Sequence, residues 1–75
     1  MPEQDPILRK FGGNVKKLRE RKGYTQEKLG ETASLDPTYV SGIERGVRNP
    51  GIKNVARIAK ALGVTTSKLV EGVAA

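Results

Sequence analysis

The amino-acid sequence predicts an all-α fold, a compact bundle of about five short helices around one core. Apolar residues recur at intervals of three and four in several separate stretches, the spacing that places side chains on one face of an α-helix. No stretch alternates with the two-residue period of a β-strand. Aromatic residues make up only 4% of the chain, so the core has to be built from Leu, Ile, Val and Ala, which suits packed helices.

The chain begins with a segment that carries two prolines. We expect residues 1–6 to form a flexible tail and residues 7–75 to form a single domain. The first helix ends at Gly23, and its apolar face is formed by Ile7, Phe11, Val15 and Leu18. Gly12 and Gly13 lie inside this helix and weaken it by roughly 1 kcal/mol each relative to alanine, so tertiary packing has to compensate.

Two short helices separated by a tight break follow. One is predicted over about residues 25–32, because Thr25 is a good N-cap. The next is predicted over about residues 36–45, where Asp36 caps the helix and Pro37 takes its first position, at which a missing N–H is harmless. The apolar residues of this pair have the spacing of two helices that cross closely: Leu29, Ala33, Leu35, Val40 and Ile43, with the very small Gly30 at the crossing.

A fourth and a fifth helix complete the predicted bundle. The polar loop 47–51 precedes the fourth helix, which ends at Gly63 and whose apolar residues are Ile52, Val55, Ile58, Ala59 and Leu62. Thr65 can cap a short fifth helix that contains Leu69 and Val70 and is closed by Gly72.

The charge of the chain favours a polyanionic partner. The formal net charge is +6 and the sequence pI is near 10.0, and lysine or arginine set against phosphate releases condensed counterions. A solvated basic surface is the alternative explanation. Charge does not show which helix meets the ligand, because half of the basic residues crowd into the first helical segment: Arg9, Lys10, Lys16, Lys17, Arg19, Arg21 and Lys22.

The composition argues against several classes of protein. There is no cysteine and no histidine, so disulfides are excluded and the commonest metal ligand and general base is missing. We therefore expect no metal site, no cofactor and no enzymatic activity. No apolar run approaches the roughly 18 residues of a membrane span, and no secretory signal is apparent. A cytoplasmic protein without a membrane partner is expected.

The pair of helices in residues 25–46 has the spacing of a helix-turn-helix, in which a scaffold helix supports a recognition helix that enters the DNA major groove. Gly30 provides the small residue at the crossing. Asp36, Thr38, Tyr39 and Ser41 fit the polar start that a recognition helix needs, because its N-terminal residues face the base edges. An ordinary corner of two helices with no ligand is the alternative interpretation of the same spacing.

The segment TQEKLGETASLDPTYVSGIERG, followed by RNP and by a helix ending in AKALGV, resembles the lambda-repressor-like (Xre-type) helix-turn-helix family over about residues 11–70. The run LDPTYVSGIERGVRNP is similar to restriction–modification controller proteins. The resemblance implies a five-helix domain, a homodimer and a two-fold symmetric operator. Ser34 departs from the family pattern, which often has glycine in the turn, and Pro37 departs from it where many relatives have a polar or basic residue.

We expect DNA contacts from the two helices and the loop that follows them. Gln26, at the positive end of the scaffold helix, is expected to anchor a phosphate. Thr38 and Ser41 can hydrogen-bond to bases or phosphates. Tyr39 either packs beside Leu35 at the edge of the core or contacts DNA. The remaining candidates are basic or polar residues for phosphate or groove contacts: Arg45, Arg48, Asn49 and Lys53.

Two structural roles complete the list of candidate residues. The family resemblance places Arg19 opposite Glu44 in a partly buried ion pair that links the first helix to the recognition helix. The last short helix carries apolar residues that could form a dimer interface, or could simply close the core: Val64, Leu69, Val70 and Val73.

These observations predict a sequence-specific transcriptional regulator that binds double-stranded operator DNA as a homodimer, with control of its own promoter as a hypothesis. No small-molecule effector is expected in a chain of this size. An antitoxin-type protein-interaction module of a toxin–antitoxin pair is the alternative. RNA binding is compatible with the charge, but the sequence offers no aromatic platform for stacking bases.

Overall fold

The computed structural model describes residues 5–74, and this part of the chain contains five helices joined by short loops. In chain order they are α1 (Pro6–Lys22), α2 (Gln26–Ala33), α3 (Pro37–Glu44), α4 (Gly51–Leu62) and α5 (Thr66–Leu69). Helix α1 packs mainly against α3, α2 packs against both α3 and α4, and α5 closes the bundle against α4 and α1. The predicted all-α fold class is confirmed.

Three of the five helices, α2, α3 and α5, begin at the capping residues that the sequence predicts. The Thr25 hydroxyl accepts a hydrogen bond from the Lys28 amide (3.0 Å), and the Asp36 carboxylate accepts one from the Thr38 amide (2.8 Å). Thr65 caps α5 in the same way, through the amide of Lys68 (3.1 Å). Each cap satisfies an amide that has no partner within its helix.

Helix α1 begins earlier than predicted. Asp5 caps it by accepting a hydrogen bond from the Ile7 amide (2.9 Å), and Pro6 occupies the first helical position. Proline is favourable there because its fixed φ suits the helix and the N–H that it lacks would have no partner. The predicted tail of residues 1–6 therefore loses its last two residues to the domain, and residues 1–4 lie outside the described part of the chain.

The core is built mainly from aliphatic side chains, as the composition predicts, together with the buried ring of Phe11. Its fully buried side chains come from all five helices: Val15, Leu29, Val40, Ile43, Ile58 and Leu69. Two residues of the predicted apolar faces lie outside it. Ile7 is 53% exposed and Ile52 is 78% exposed, and both are in the first turn of their helices, beside one surface groove. Helical spacing predicts which face of a helix is apolar, but it does not predict over what length another helix covers that face.

Two glycines allow helices to approach closely. A Cβ atom on Gly30 would lie 2.5 Å from the Leu35 carbonyl oxygen, which confirms that a very small residue is required there. A Cβ atom on Gly12 would lie 2.7 Å from the Glu44 carbonyl oxygen. Gly12 therefore weakens α1 locally but permits its contact with the end of α3, and this contact provides the tertiary compensation that the sequence requires.

Within residues 5–74, none of the helices combines the length and the apolar character needed to cross a membrane. The same part of the chain contains no cluster of three or more histidine, cysteine or acidic side chains arranged to hold a metal ion.

Candidate DNA-binding site

The break between α2 and α3 spans residues 34–36 and contains one left-handed residue, Ser34. Ser34 has φ 61° and ψ 44°, and the next amide, that of Leu35, donates a hydrogen bond to the Gly30 carbonyl oxygen (2.8 Å). This conformation costs a residue with a Cβ atom about 1–2 kcal/mol, whereas glycine adopts it freely. Ser34 thus adopts the left-handed conformation at the turn position where the family resemblance leads us to expect glycine. The turn sets α3 across α2 at Gly30.

Helix α3 has one buried face and one exposed face. Val40, Gly42 and Ile43 are buried against the rest of the domain. Thr38 is exposed and Ser41 is half-buried, so short polar side chains lie on the outer side of the first two turns. Pro37 is also exposed, and its side chain offers no hydrogen-bonding group. The hydroxyl groups of this outer face can form hydrogen bonds with base edges.

An ion pair holds the end of α3 against α1. Arg19 Nε donates to Glu44 Oε2 (2.6 Å) and Arg19 Nη2 donates to Glu44 Oε1 (3.0 Å), while Nη1 donates to the Tyr24 carbonyl oxygen (2.8 Å). The side chains are only 11% and 3% exposed. The hydrogen bond to Glu44 raises the pKa of Arg19 above its ordinary value, although burial acts in the opposite direction. The pair has the geometry that the resemblance implies.

Gln26 belongs to the same hydrogen-bonded network. Its side-chain amide donates to Glu44 Oε1 (3.0 Å), so Glu44 is shared between Arg19 and the first residue of α2. The sequence gives no sign of this bond, because the two residues are 18 positions apart and lie on different helices. The bond fixes the orientation of the amide at the N-terminal end of α2, where backbone amides favour an anion.

Tyr39 lies at the edge of the core, one of the two placements that the sequence leaves open. It is half-buried and packs against the core cluster. Its hydroxyl group donates to the Pro50 carbonyl oxygen (3.4 Å) and accepts a hydrogen bond from Asn54 Nδ2 (3.2 Å). The far end of the ring is therefore held by the loop after α3 and by α4.

The four remaining candidates are exposed side chains at and beyond the end of α3. Arg45 is the C-cap of α3, and Arg48 lies in the following loop, where its guanidinium carbon is 5.9 Å from the centroid of the Tyr39 ring. The Asn49 side chain accepts a hydrogen bond from the Gly51 amide (3.4 Å), which helps to shape the start of α4. Lys53 lies in the first turn of α4.

The candidate dimer residues do not form one surface. Leu69 is fully buried in the core, so its assignment to the interface is wrong: α5 turns this side chain inward against α4 and α1. Val64 and Val73 are partly buried against the core, and Val70 is 40% exposed. Val73 lines an apolar groove of about 230 Å³ together with the exposed Ile7 and Ile52, which the sequence assigns to the core faces.

A short helix with an exposed polar face, held across a second helix by a tight turn and a buried ion pair, defines a helix-turn-helix DNA-binding module. The family model described as Helix-turn-helix matches residues 15–69. The chain belongs to this family and is a DNA-binding transcriptional regulator.

Restriction–modification controllers are among the proteins similar to this chain. Control protein C.BamHI of Bacillus amyloliquefaciens is 42% identical over 62 residues, which cover 81% of this chain and 76% of the relative. Control protein C.MunI of a Mycoplasma species is 43% identical over 61 residues, covering 80% and 82%. The crystal structure of the restriction–modification controller C.AhdI from Aeromonas hydrophila matches with a TM-score of 0.81 at 42% identity, covering 83% of this chain and 94% of that one. The family resemblance stated from the sequence is confirmed.

Proposed function

We propose that the protein binds a specific operator sequence by placing α3 in the DNA major groove. The observation that carries this proposal is the polar outer face of α3, which holds the exposed Thr38 and the half-buried Ser41 while the opposite face is buried in the core. Short hydroxyl side chains can hydrogen-bond to base edges, and the threonine methyl group can contact a thymine methyl group. These two residues are assigned to base recognition.

Phosphate contacts are assigned to residues on either side of this face. Gln26, oriented by Glu44, lies at the N-terminus of α2, a position suited to a phosphate. Arg45 and Arg48 lie at and after the end of α3. Asn49 and Lys53 are further candidates. The formal net charge of +6 supports a strong electrostatic component of binding.

The protein is proposed to act as a homodimer on two-fold symmetric DNA. The support is the apolar groove, where Ile52 is 78% exposed and Ile7 is 53% exposed, with Val70 and Val73 in the adjacent C-terminal turn. Asn49 and Pro50 also line this groove, so a dimer formed through it would bring the DNA-facing loops of both copies close to the symmetry axis. Half-sites would then lie ~10 base pairs apart, or a multiple of that spacing.

The regulatory role is proposed to be that of a restriction–modification controller acting on its own promoter. The support is the similarity to C.BamHI and C.MunI, both described as control proteins, and to C.AhdI, described as a restriction–modification controller. These descriptions favour a regulator over the antitoxin-type module. We propose no enzymatic activity and no small-molecule effector for this protein, and we expect it to lie in the cytoplasm.

Selection of bound duplexes from a random DNA pool tests the proposal. We expect a two-fold symmetric consensus that is also found upstream of the protein's own gene. A variant with Thr38 and Ser41 both replaced by alanine is the matched control, because it removes the proposed base contacts and neither residue belongs to the buried core. No enrichment by the wild-type protein, together with co-purification of a small toxic partner, would instead support the antitoxin-type module.

A further inference from the structure

The Tyr39 ring is fixed at both ends. Its Cα atom belongs to α3, whose next residue, Val40, is fully buried, and its hydroxyl group bonds to the Pro50 carbonyl oxygen and to Asn54 Nδ2. The ring therefore bridges α3, the following loop and α4. A tyrosine tied at its hydroxyl group in this way is not free to turn toward a base without breaking both bonds.

Arg48 lies along a seat formed by this ring and by Gly42. A Cβ atom on Gly42 would be 2.6 Å from Arg48 Cγ, 3.6 Å from Cβ and 3.7 Å from Cδ, so the aliphatic stem crosses directly over the glycine. The guanidinium carbon lies 5.9 Å from the Tyr39 ring centroid, within the range of a cation–π contact. Gly42 therefore supports the aliphatic stem of the exposed Arg48 side chain, and the Tyr39 ring supports its guanidinium group.

We infer that Tyr39 and Gly42 are positioning residues that hold Arg48 against a DNA phosphate at the end of the recognition helix. The inference rests on the proposed function, and it assigns Tyr39 to Arg48 rather than to a base. An arginine side chain that has no packing partners in a loop loses considerable rotamer freedom when it binds a phosphate. An arginine already held on a ring and a glycine loses less, because part of this ordering exists before DNA binds.

The seat is tested first in the free protein by NMR. The ring current of Tyr39 should shift the signals of the Arg48 side-chain protons, and this shift should disappear in Tyr39→Leu. In Gly42→Ala, the added methyl group should displace the stem and move the same signals while the ring remains. Arg48 signals at their random-coil positions in the wild-type protein would overturn the seat, whatever the outcome of the DNA experiments.

DNA binding is then measured for Tyr39→Leu, Arg48→Ala and the double variant, on a random-sequence duplex and on the selected consensus. Tyr39→Leu should weaken binding about two- to fivefold, the value of a cation–π contact at an exposed site. In the Arg48→Ala background it should have almost no further effect. Arg48→Ala should also lower the salt slope by about one on both duplexes, as expected for one phosphate contact.

Two results of this cycle would overturn the inference. Additive losses would mean that Tyr39 and Arg48 act independently, and a loss confined to the consensus would remove the phosphate assignment. If Tyr39→Leu does not fold, Gly42→Ala replaces it in the cycle, with Gly13→Ala as control, because a Cβ atom on Gly13 has no neighbour within 4 Å. Equal DNA affinity of these two alanine variants would likewise overturn the inference.

A wild-type protein that binds neither duplex would refute the proposed function itself. The NMR experiment would still show whether Arg48 packs on Tyr39 and Gly42 in the free protein.

Discussion

Glu44 connects the ion pair between α1 and α3 to the N-terminal end of α2. It accepts hydrogen bonds from Arg19 and from Gln26, and its side chain is only 3% exposed. Removing one partner of a buried ion pair leaves the other charge without compensation in a poorly solvated place. A single substitution at Glu44 should therefore affect both folding and DNA binding.

We expect Glu44→Ala to lower the free energy of unfolding by about 3–5 kcal/mol and to weaken DNA binding as well, because Arg19 loses its charge partner and Gln26 loses the acceptor of its side-chain amide. Thermal unfolding and a DNA titration measure the two effects. Glu31→Ala is the control: the Glu31 side chain is 75% exposed in a 3.4 Å pair with Lys28, and such surface pairs contribute about 0–1 kcal/mol. An unchanged melting temperature in Glu44→Ala would contradict this role.

At the scale of the structural elements, the turn between α2 and α3 fixes how the recognition helix is presented. Only one residue in it, Ser34, is left-handed, and among residues 5–74 it is the one non-glycine residue with positive φ. The energetic cost of this conformation is confined to a single position, so it can be relieved by a single substitution.

Ser34→Gly should raise the melting temperature by a few degrees. Glycine relieves ~1–2 kcal/mol of left-handed strain in the folded state. It also increases the conformational freedom of the unfolded chain, which lowers stability by roughly 0.5–1 kcal/mol, so a smaller net gain remains. Ser67→Gly is the matched control, because Ser67 is exposed within α5 and the same change there should lower stability by about half a kcal/mol. Equal losses of stability in the two variants would show that Ser34 is not strained.

Local sequence signals predict the elements better than they predict the contacts between them. Thr25, Asp36 and Thr65 cap the helices as expected, since a capping bond spans only two or three residues. The bond between Gln26 and Glu44 and the inward position of Leu69 depend on how distant helices pack. The periodicity of a single helix carries no information about how distant helices pack, so it does not predict the exposure of Ile52 either.

At the scale of the whole molecule, the apolar groove connects the fold to the proposed assembly. Its rim includes Ile7 and Ile52, which the fold leaves exposed, and its wall includes Phe11 and Val55 of the core cluster. Large exposed apolar side chains that converge on one groove are typical of an interaction site. A second copy of the chain is the occupant that we propose, because the proposed operator is two-fold symmetric.

Ile52→Asp should convert the proposed dimer into a monomer without unfolding it, because the side chain is 78% exposed. Sedimentation at micromolar concentration measures the assembly, and thermal unfolding checks that the helices persist. Val47→Asp is the control, since Val47 is 52% exposed but does not line the groove. A wild-type protein that sediments only as a monomer, or an Ile52→Asp variant that remains dimeric, would refute this interface.

We propose that the outer face of α3 recognises the bases of the operator, and the base preference of Thr38→Ala tests this proposal most directly. Binding of wild-type protein and Thr38→Ala is compared across the consensus duplex and all its single-base variants. We predict that Thr38→Ala loses about 1–3 kcal/mol of discrimination at one position of each half-site and keeps the wild-type salt slope. Unaltered base preference, or a uniform loss of affinity with a shallower salt slope, would contradict sequence recognition by this face.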